Sequence, residues 1–253
     1  MTALKLFCAA REVIIMIKFY NSKNEEKGKI ESNGQSLYIY GDIVGDKWSK
    51  WMSEDTCPTD VKELFERFDK SQPVDIFINS GGGSVWGALA ICSLIGRYLG
   101  KTTAHIDGIA ASAASVIACA CDEIIMPEYA QMMIHKPWAG TYGNADELRK
   151  IADSLDSAED SIVSIYMSKA APGVTEETLR QKLSDETWLT GKNAFELFNV
   201  TVASGAEPAA AATSDFYDRY EHRPEPKKSP ENKETEKEKR QAAIIAAFEK
   251  YYK

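Results

Sequence analysis

Ser112 is the residue through which this chain could do covalent chemistry. It closes the run Gly108-Ile109-Ala110-Ala111-Ser112, at the end of an apolar, strand-like stretch. A serine hydroxyl becomes a nucleophile when a neighbouring base takes its proton, and near neutral pH that base is usually histidine. The chain offers three histidines. His222 stands in a charged, proline-containing stretch and is set aside. His105 lies inside a strand-like run seven residues before Ser112, and the plain reading is a hydrogen-bonded strand histidine. His135 ends a different apolar run, Met132-Met133-Ile134-His135, just ahead of Pro137, and is a candidate base. Residue types alone leave Ser112 two readings: a nucleophile, or a small residue in an Ala/Ser helix packed tightly against a neighbour.

A second turn of the same form precedes it. Residues 74–79 are an apolar strand that runs into Ser80-Gly81-Gly82-Gly83-Ser84 and then a helix start. Two strand-turn-helix units on neighbouring parallel strands open on the same sheet edge. Backbone N–H groups at such turns favour negative charge. The glycines are therefore a bare turn, a phosphate cradle or an oxyanion hole. The phosphate reading is weak, since no G-x-x-x-x-G-K-[ST] run is present and Trp86 occupies the place of a dinucleotide fingerprint's last glycine.

Bulk composition bounds the rest. The chain has 253 residues, 44% hydrophobic, enough for one sizeable core. A net charge of −8 argues against general nucleic-acid binding. No apolar run reaches the roughly 18–20 residues of a membrane span. Cys8, Cys57, Cys92, Cys119 and Cys121 are an odd number without zinc-site spacing, so reduced, buried thiols in a cytoplasmic protein are expected, with no metal and no cofactor. Residues 4–10 are too short and too soon followed by charge for a signal peptide. Met16 opens a second candidate start, which would make residues 1–15 an upstream artefact.

One catalytic domain is expected over 36–204, between an N-terminal segment over 1–35 and a charged tail over 205–253. Residues 21–35 read as loop and 36–40 as a strand, and Trp48 and Trp51 as packing anchors. Asp60 is placed to cap a helix reaching about residue 70. Helices are expected over 85–99 and 112–121, strands over 102–107, 123–126 and 131–135. Asn144 can cap a long amphipathic helix over 145–170, long enough to project from the body or meet a neighbour. Short helices are expected over 175–183 and 192–198. This alternation argues for an α/β domain with a mostly parallel sheet. Residues 218–240 hold eight basic and seven acidic side chains with three prolines, a composition that predicts disorder, before an amphipathic run over 241–252.

Taken together, the motifs resemble one family. Ile78-Asn79-Ser80-Gly81-Gly82-Gly83-Ser84-Val85 is similar to the I-N-S-P-G-G-x-V signature of the Clp protease proteolytic subunit (ClpP) family. Gly108–Ser112 resembles its G-x-A-A-S nucleophile motif, and Met133-Ile134-His135-Lys136-Pro137 its M-I-H-x-P base motif. Trp188-Leu189-Thr190 with Asn193, Ala194 and Glu196 resembles the stretch after its acid. The order is conserved over about residues 36–201. The resemblance implies a ClpP/crotonase-like fold of stacked ββα units with a long projecting helix. It implies a serine endopeptidase in which Ser112 is the nucleophile, His135 the base, and Gly83 and Ala113 the oxyanion-hole amides. The family acid falls on Glu186, where Asp is common, and adjacent Asp185 is a rival. Gly81 replaces the family proline, Ala114 a glycine, and Phe198 a helix-ending glycine.

The implied substrate is protein or peptide, and the implied assembly a homo-oligomeric ring or double ring joined by the long helix. The charged tail resembles those of Clp-like head-maturation proteases of phages and prophages, which act on capsid or scaffold protein in the host cytoplasm. A housekeeping subunit would instead be fed by an AAA+ unfoldase using ATP. Two further readings compete: a crotonase-like acyl-CoA enzyme, and a catalytically inactive assembly protein.

Overall fold

The computed structural model describes residues 15–20, 26–32, 35–203, 220 and 222. All of these residues belong to one compact unit. The expected terminal helix over 241–252 lies outside the described residues, as does Cys8.

Strands β1 (Ile15–Tyr20) and β2 (Glu26–Ser32) pair antiparallel as a two-stranded sheet. The second corrects the loop expected over 21–35. Its run E-K-G-K-I-E-S has no apolar alternation, and the strand is defined by its partner.

The main sheet carries seven strands. Strands β3 (Gln35–Ile39), β4 (Val74–Ser80), β5 (Thr102–Ala111), β6 (Glu123–Pro127) and β9 (Thr201–Ala203) lie side by side, each pair parallel. Strand β5 is long enough to pair β6 with its first half and β7 (Gln131–Ile134) with its second, both parallel. Strand β8 (Thr187–Thr190) then runs antiparallel to β7. The sheet is mostly parallel with one antiparallel edge, as the strand-helix alternation predicts.

Helices α1 (Pro58–Arg67), α2 (Val85–Ile95) and α3 (Ala113–Ala120) pack their buried faces into one core with the β4 and β5 isoleucines and alanines. Helix α3 is buried along nearly its whole length, which its Ala/Ser composition permits. Asp60 does not cap α1. It sits at the third helical position and its carboxylate accepts from the Cys57 N–H at 3.0 Å. Helix α2 stops at Ile95, four residues short of expectation: after Gly96 the Arg97 and Tyr98 N–H groups turn to the carbonyls of Leu94 and Ile95, three residues back, and the α-helical pattern ends. Trp48 and Trp51 are not anchors: they are 96% and 91% exposed. Cys57, Cys92, Cys119 and Cys121 are free and buried. Burial pushes the Cys92 thiol up to about 12, so it stays protonated and inert.

Helix α4 (Ala145–Met167) has 23 residues, about 35 Å of length at the usual rise. Its buried residues, Ala158, Glu159, Ile162, Val163 and Tyr166, all fall in the second half, so the first half projects. Asn144 caps it as expected, its side chain accepting from the N–H groups of Asp146 and Glu147. Helix α5 (Glu176–Ser184) is tied to α4 by Arg180, which bridges Glu159 and Asp160. The expected helix over 192–198 is reduced to a 3-10 turn, Ala194–Glu196. His105 is a strand histidine bonded to Asp75 at 2.8 Å.

The Asn144 cap also anchors the loop that walls the site below. Asn144→Ala should lower the unfolding free energy by about 1 kcal/mol and Asn144→Gly by only a few tenths. Urea denaturation reads the difference, and equal losses would show that the side-chain oxygen is not what closes this helix.

Candidate active site

Strand register brings the candidate residues together. Ala111 on β5 is paired with Met133 on β7, and the Ser112 N–H donates to the Met133 carbonyl at 2.9 Å. The residue that follows β5 is Ser112, and the residue that follows β7 is His135. Their side chains meet: Ser112 Oγ lies 2.7 Å from His135 Nε2. Ile134 on β7 is in turn paired with Thr187 on β8, so the residue preceding β8, Glu186, arrives beside His135. Three residues far apart in the chain share one corner because three strand ends share one edge.

Backbone strain marks the same corner. Among the described residues, Ser112 (φ 53°) and Glu186 (φ 47°) are the non-glycine residues at positive φ. Such conformations cost roughly 1–3 kcal/mol and persist where surrounding structure enforces them. For Ser112 the enforcement is visible. Its N–H is held by Met133, and its carbonyl accepts from the N–H groups of Ser115 and Val116 at the start of α3.

Asp185 and Glu186 separate cleanly. Asp185 is the C-cap of α5 and accepts from Gln181 Nε2 at 2.8 Å. Glu186 Oε1 accepts from Trp188 Nε1 at 3.3 Å and from the His222 backbone N–H at 2.7 Å. Its charge also reaches the imidazole. Burial holds His135 below its ordinary value of 6.5, and the Glu186 carboxylate pushes the other way. The ring is therefore neutral at neutral pH and able to accept the Ser112 proton.

The glycine run faces this pair. At Gly83 the flanking peptides bond to residue 43: the Ile43 N–H donates to the Gly82 carbonyl at 2.7 Å, and the Ser84 N–H to the Ile43 carbonyl at 2.7 Å. The alternation of a bridge then turns the N–H of Gly83 itself away from Ile43. A Cβ at Gly82 would lie 2.6 Å from the Ala111 carbonyl oxygen and 3.1 Å from the Ala113 nitrogen. Only a bare backbone comes this close to the nucleophile turn. Ala113 opens α3, where helix N–H groups lack intrahelical partners. Gly83, Ala113, Ser112 and His135 all line one cavity of about 580 Å³, with Trp86 and Trp138 on its wall. Its residues suit acyl transfer: a hydroxyl, a base, a nearby carboxylate, and the backbone of Gly83 and Ala113 on the same wall.

Sequence reasoning missed the residues that hold this arrangement. Asn79 Oδ1 accepts from the Ile109 N–H at 3.2 Å where β4 and β5 slip register. Ser80 Oγ donates to the Gly41 carbonyl at 2.6 Å and accepts from the Gly82 N–H at 3.1 Å. Ser115 Oγ lies 2.7 Å from the Ser112 carbonyl, 2.8 Å from the Met133 carbonyl and 2.7 Å from Tyr166 Oη. Both carbonyls can only accept, so the Ser115 proton goes to one of them and Tyr166 donates. The signal was present in the doubled A-A-S-A-A-S run, whose second serine returns to the first residue's carbonyl at i+3. Tyr220, expected within the tail, is buried against His135.

Comparison with known proteins bears on this geometry. The Clp protease family model matches residues 53–197, more than half of the chain. The chain belongs to the Clp protease family. It is 27% identical over 177 residues to ATP-dependent Clp protease proteolytic subunit 1 of Chlamydia muridarum, covering 64% of this chain and 91% of that one. It is 30% identical over 132 residues to the ATP-dependent Clp protease proteolytic subunit of Porphyromonas gingivalis, covering 51% and 58%. A solved ClpP1 mutant from Listeria monocytogenes superposes with a TM-score of 0.55 at 21% identity, over 68% of this chain and 92% of that chain. The family assignment makes the chain a serine-type peptidase, and the acyl-CoA alternative falls away. Among the described residues no helix is long and apolar enough to cross a membrane.

Two outcomes follow for this site. Ser115→Ala orphans the buried Tyr166 hydroxyl and should cost about 1–3 kcal/mol, whereas Tyr166→Phe should cost nearer 1 kcal/mol, both read by urea unfolding. The acid limb of kcat/KM should have its midpoint below 6.5. Glu186→Gln removes the influence that raises the His135 pKa, so that limb should move to lower pH; a shift to higher pH would show that Glu186 does not act on His135.

Proposed function

We propose that Ser112, His135 and Glu186 work as a catalytic triad that hydrolyses peptide bonds. The observation that carries this reading is the 2.7 Å contact between Ser112 Oγ and His135 Nε2 in a cavity that Gly83 and Ala113 also line. Ser112 Oγ attacks the scissile carbonyl carbon as its proton passes to His135 Nε2. The carbonyl oxygen becomes an oxyanion, which the N–H groups of Gly83 and Ala113 stabilise. His135 then returns the proton to the leaving amine as the C–N bond breaks. Water, deprotonated by the same ring, releases the acyl group and restores Ser112. Glu186 stabilises the imidazolium that forms at each attack.

The projecting half of α4 supports assembly into a homo-oligomeric ring or double ring, with exposed Leu148 on that half. The charged extension beyond residue 204 favours a head-maturation role on capsid or scaffold protein over service to an AAA+ unfoldase. Hydrolysis of unfolded or assembly substrates without ATP fits the first role. Degradation of a folded protein only with unfoldase and ATP fits the second.

The test is hydrolysis of a short fluorogenic peptide by the assembled full-length protein. Glu186→Gln should reduce kcat by about 10²-fold or more, on the scale of losing a well-placed catalytic group, while Asp185→Asn stays within about twofold. The reverse pattern would transfer the acid's role to Asp185. Activity that survives Ser112→Ala would end the triad reading.

A further inference from the structure

Tyr220 and His222 lie well beyond β9 in the chain, yet both touch the candidate triad. Tyr220 is only 7% exposed. Its ring stands edge-on to His135 at a centroid distance of 5.3 Å and an interplanar angle of 83°. It meets Trp188 in the same manner at 5.9 Å. Its hydroxyl donates to the Gly81 carbonyl. With Ile109, Ala111 and Met133 it closes a small apolar cluster of its own, separate from the main core. The His222 backbone N–H donates to Glu186 Oε1 at 2.7 Å, the same oxygen that accepts from Trp188.

We infer that the groove over Ser112 and His135 is a binding site for the chain's own C-terminal segment, with Tyr220 as its anchor and the His222 main chain as its clasp. The inference rests on the peptidase reading. Under that reading an extended substrate draws main-chain hydrogen bonds from the glycine run and lays side chains across the imidazole. The segment reaches both: the Gly81 carbonyl is taken and Tyr220 packs against one side of the His135 ring. Tyr220 forms one wall of the cavity that Ser112 and His135 line, and their contact persists beside it, so the segment narrows the groove without dismantling the machinery. The occupant the site fits is therefore a main-chain segment with an aromatic, hydroxyl-bearing side chain. A tethered occupant competes at high effective concentration, and substrate affinity falls by the fraction of molecules left open.

The experiment compares full-length wild type, Tyr220→Phe and Tyr220→Ala in peptide hydrolysis and in amide hydrogen exchange. If the segment occupies about nine sites in ten, Tyr220→Ala should raise kcat/KM about tenfold, carried by a lower KM. Tyr220→Phe keeps the ring but loses the Gly81 bond, and should fall between the two. Exchange should show the amides around residues 220–222 protected in wild type and unprotected in Tyr220→Ala, at all protein concentrations. An unchanged or reduced kcat/KM in Tyr220→Ala would overturn the proposal. Unprotected amides in wild type would overturn it whatever the kinetics show, as would protection that appears only at high protein concentration. Absence of hydrolysis in all three proteins would refute the peptidase reading instead, and exchange alone would then decide whether the segment docks.

Discussion

Everything at this site depends on the parallel register between β5 and β7. Pairing Ala111 with Met133 brings two strand ends level, so that the next residue on one is Ser112 and the next but one on the other is His135. A slip of one residue would turn every side chain on β7 to the opposite face. The imidazole would then leave the serine, and Glu186, indexed to β7 through β8, would leave with it. Register is secured where it matters. Met132, Met133 and Ile134 are fully buried, and Ser115 reaches the Met133 carbonyl from the neighbouring helix.

The chemistry then follows from competing fields. Burial disfavours the charged imidazole, and Glu186 favours it. A base poised in this way stays neutral at rest and is helped to carry a proton in transit. The strained backbone at Ser112 and Glu186 is the cost of bringing both side chains to His135. Hydrogen bonds around Ser112 offset it there. Tyr166 carries this support to α4, so the helix that projects from the body is joined through one hydroxyl pair to the nucleophile turn.

What was legible in the sequence is what local chemistry dictates. The glycine run, Ser112 and His135 could be read because each sits at a strand end with its own turn signal. Asn144 could be read because a cap is a local device. The acid was harder, since Asp185 and Glu186 are adjacent carboxylates; the motif favours Glu186, and the β7–β8 pairing sets that residue beside His135. Strand β2 was invisible because its residues carry no pattern without β1. The aromatic content of Trp48 and Trp51 pointed to a core they do not join. Tyr220 had no local signal at all: a single aromatic in a charged stretch becomes informative only when its partners, Gly81, His135 and Trp188, are seen around it.

The central claim is that register makes Ser112 an activated nucleophile through His135. Covalent labelling with a fluorophosphonate probe tests it most directly, because phosphonylation requires an activated serine and is located by mass spectrometry. The account predicts modification at Ser112 in the full-length protein and its loss in both Ser112→Ala and His135→Ala. Folded wild-type protein that resists the probe, or labelling that persists in His135→Ala, would contradict it.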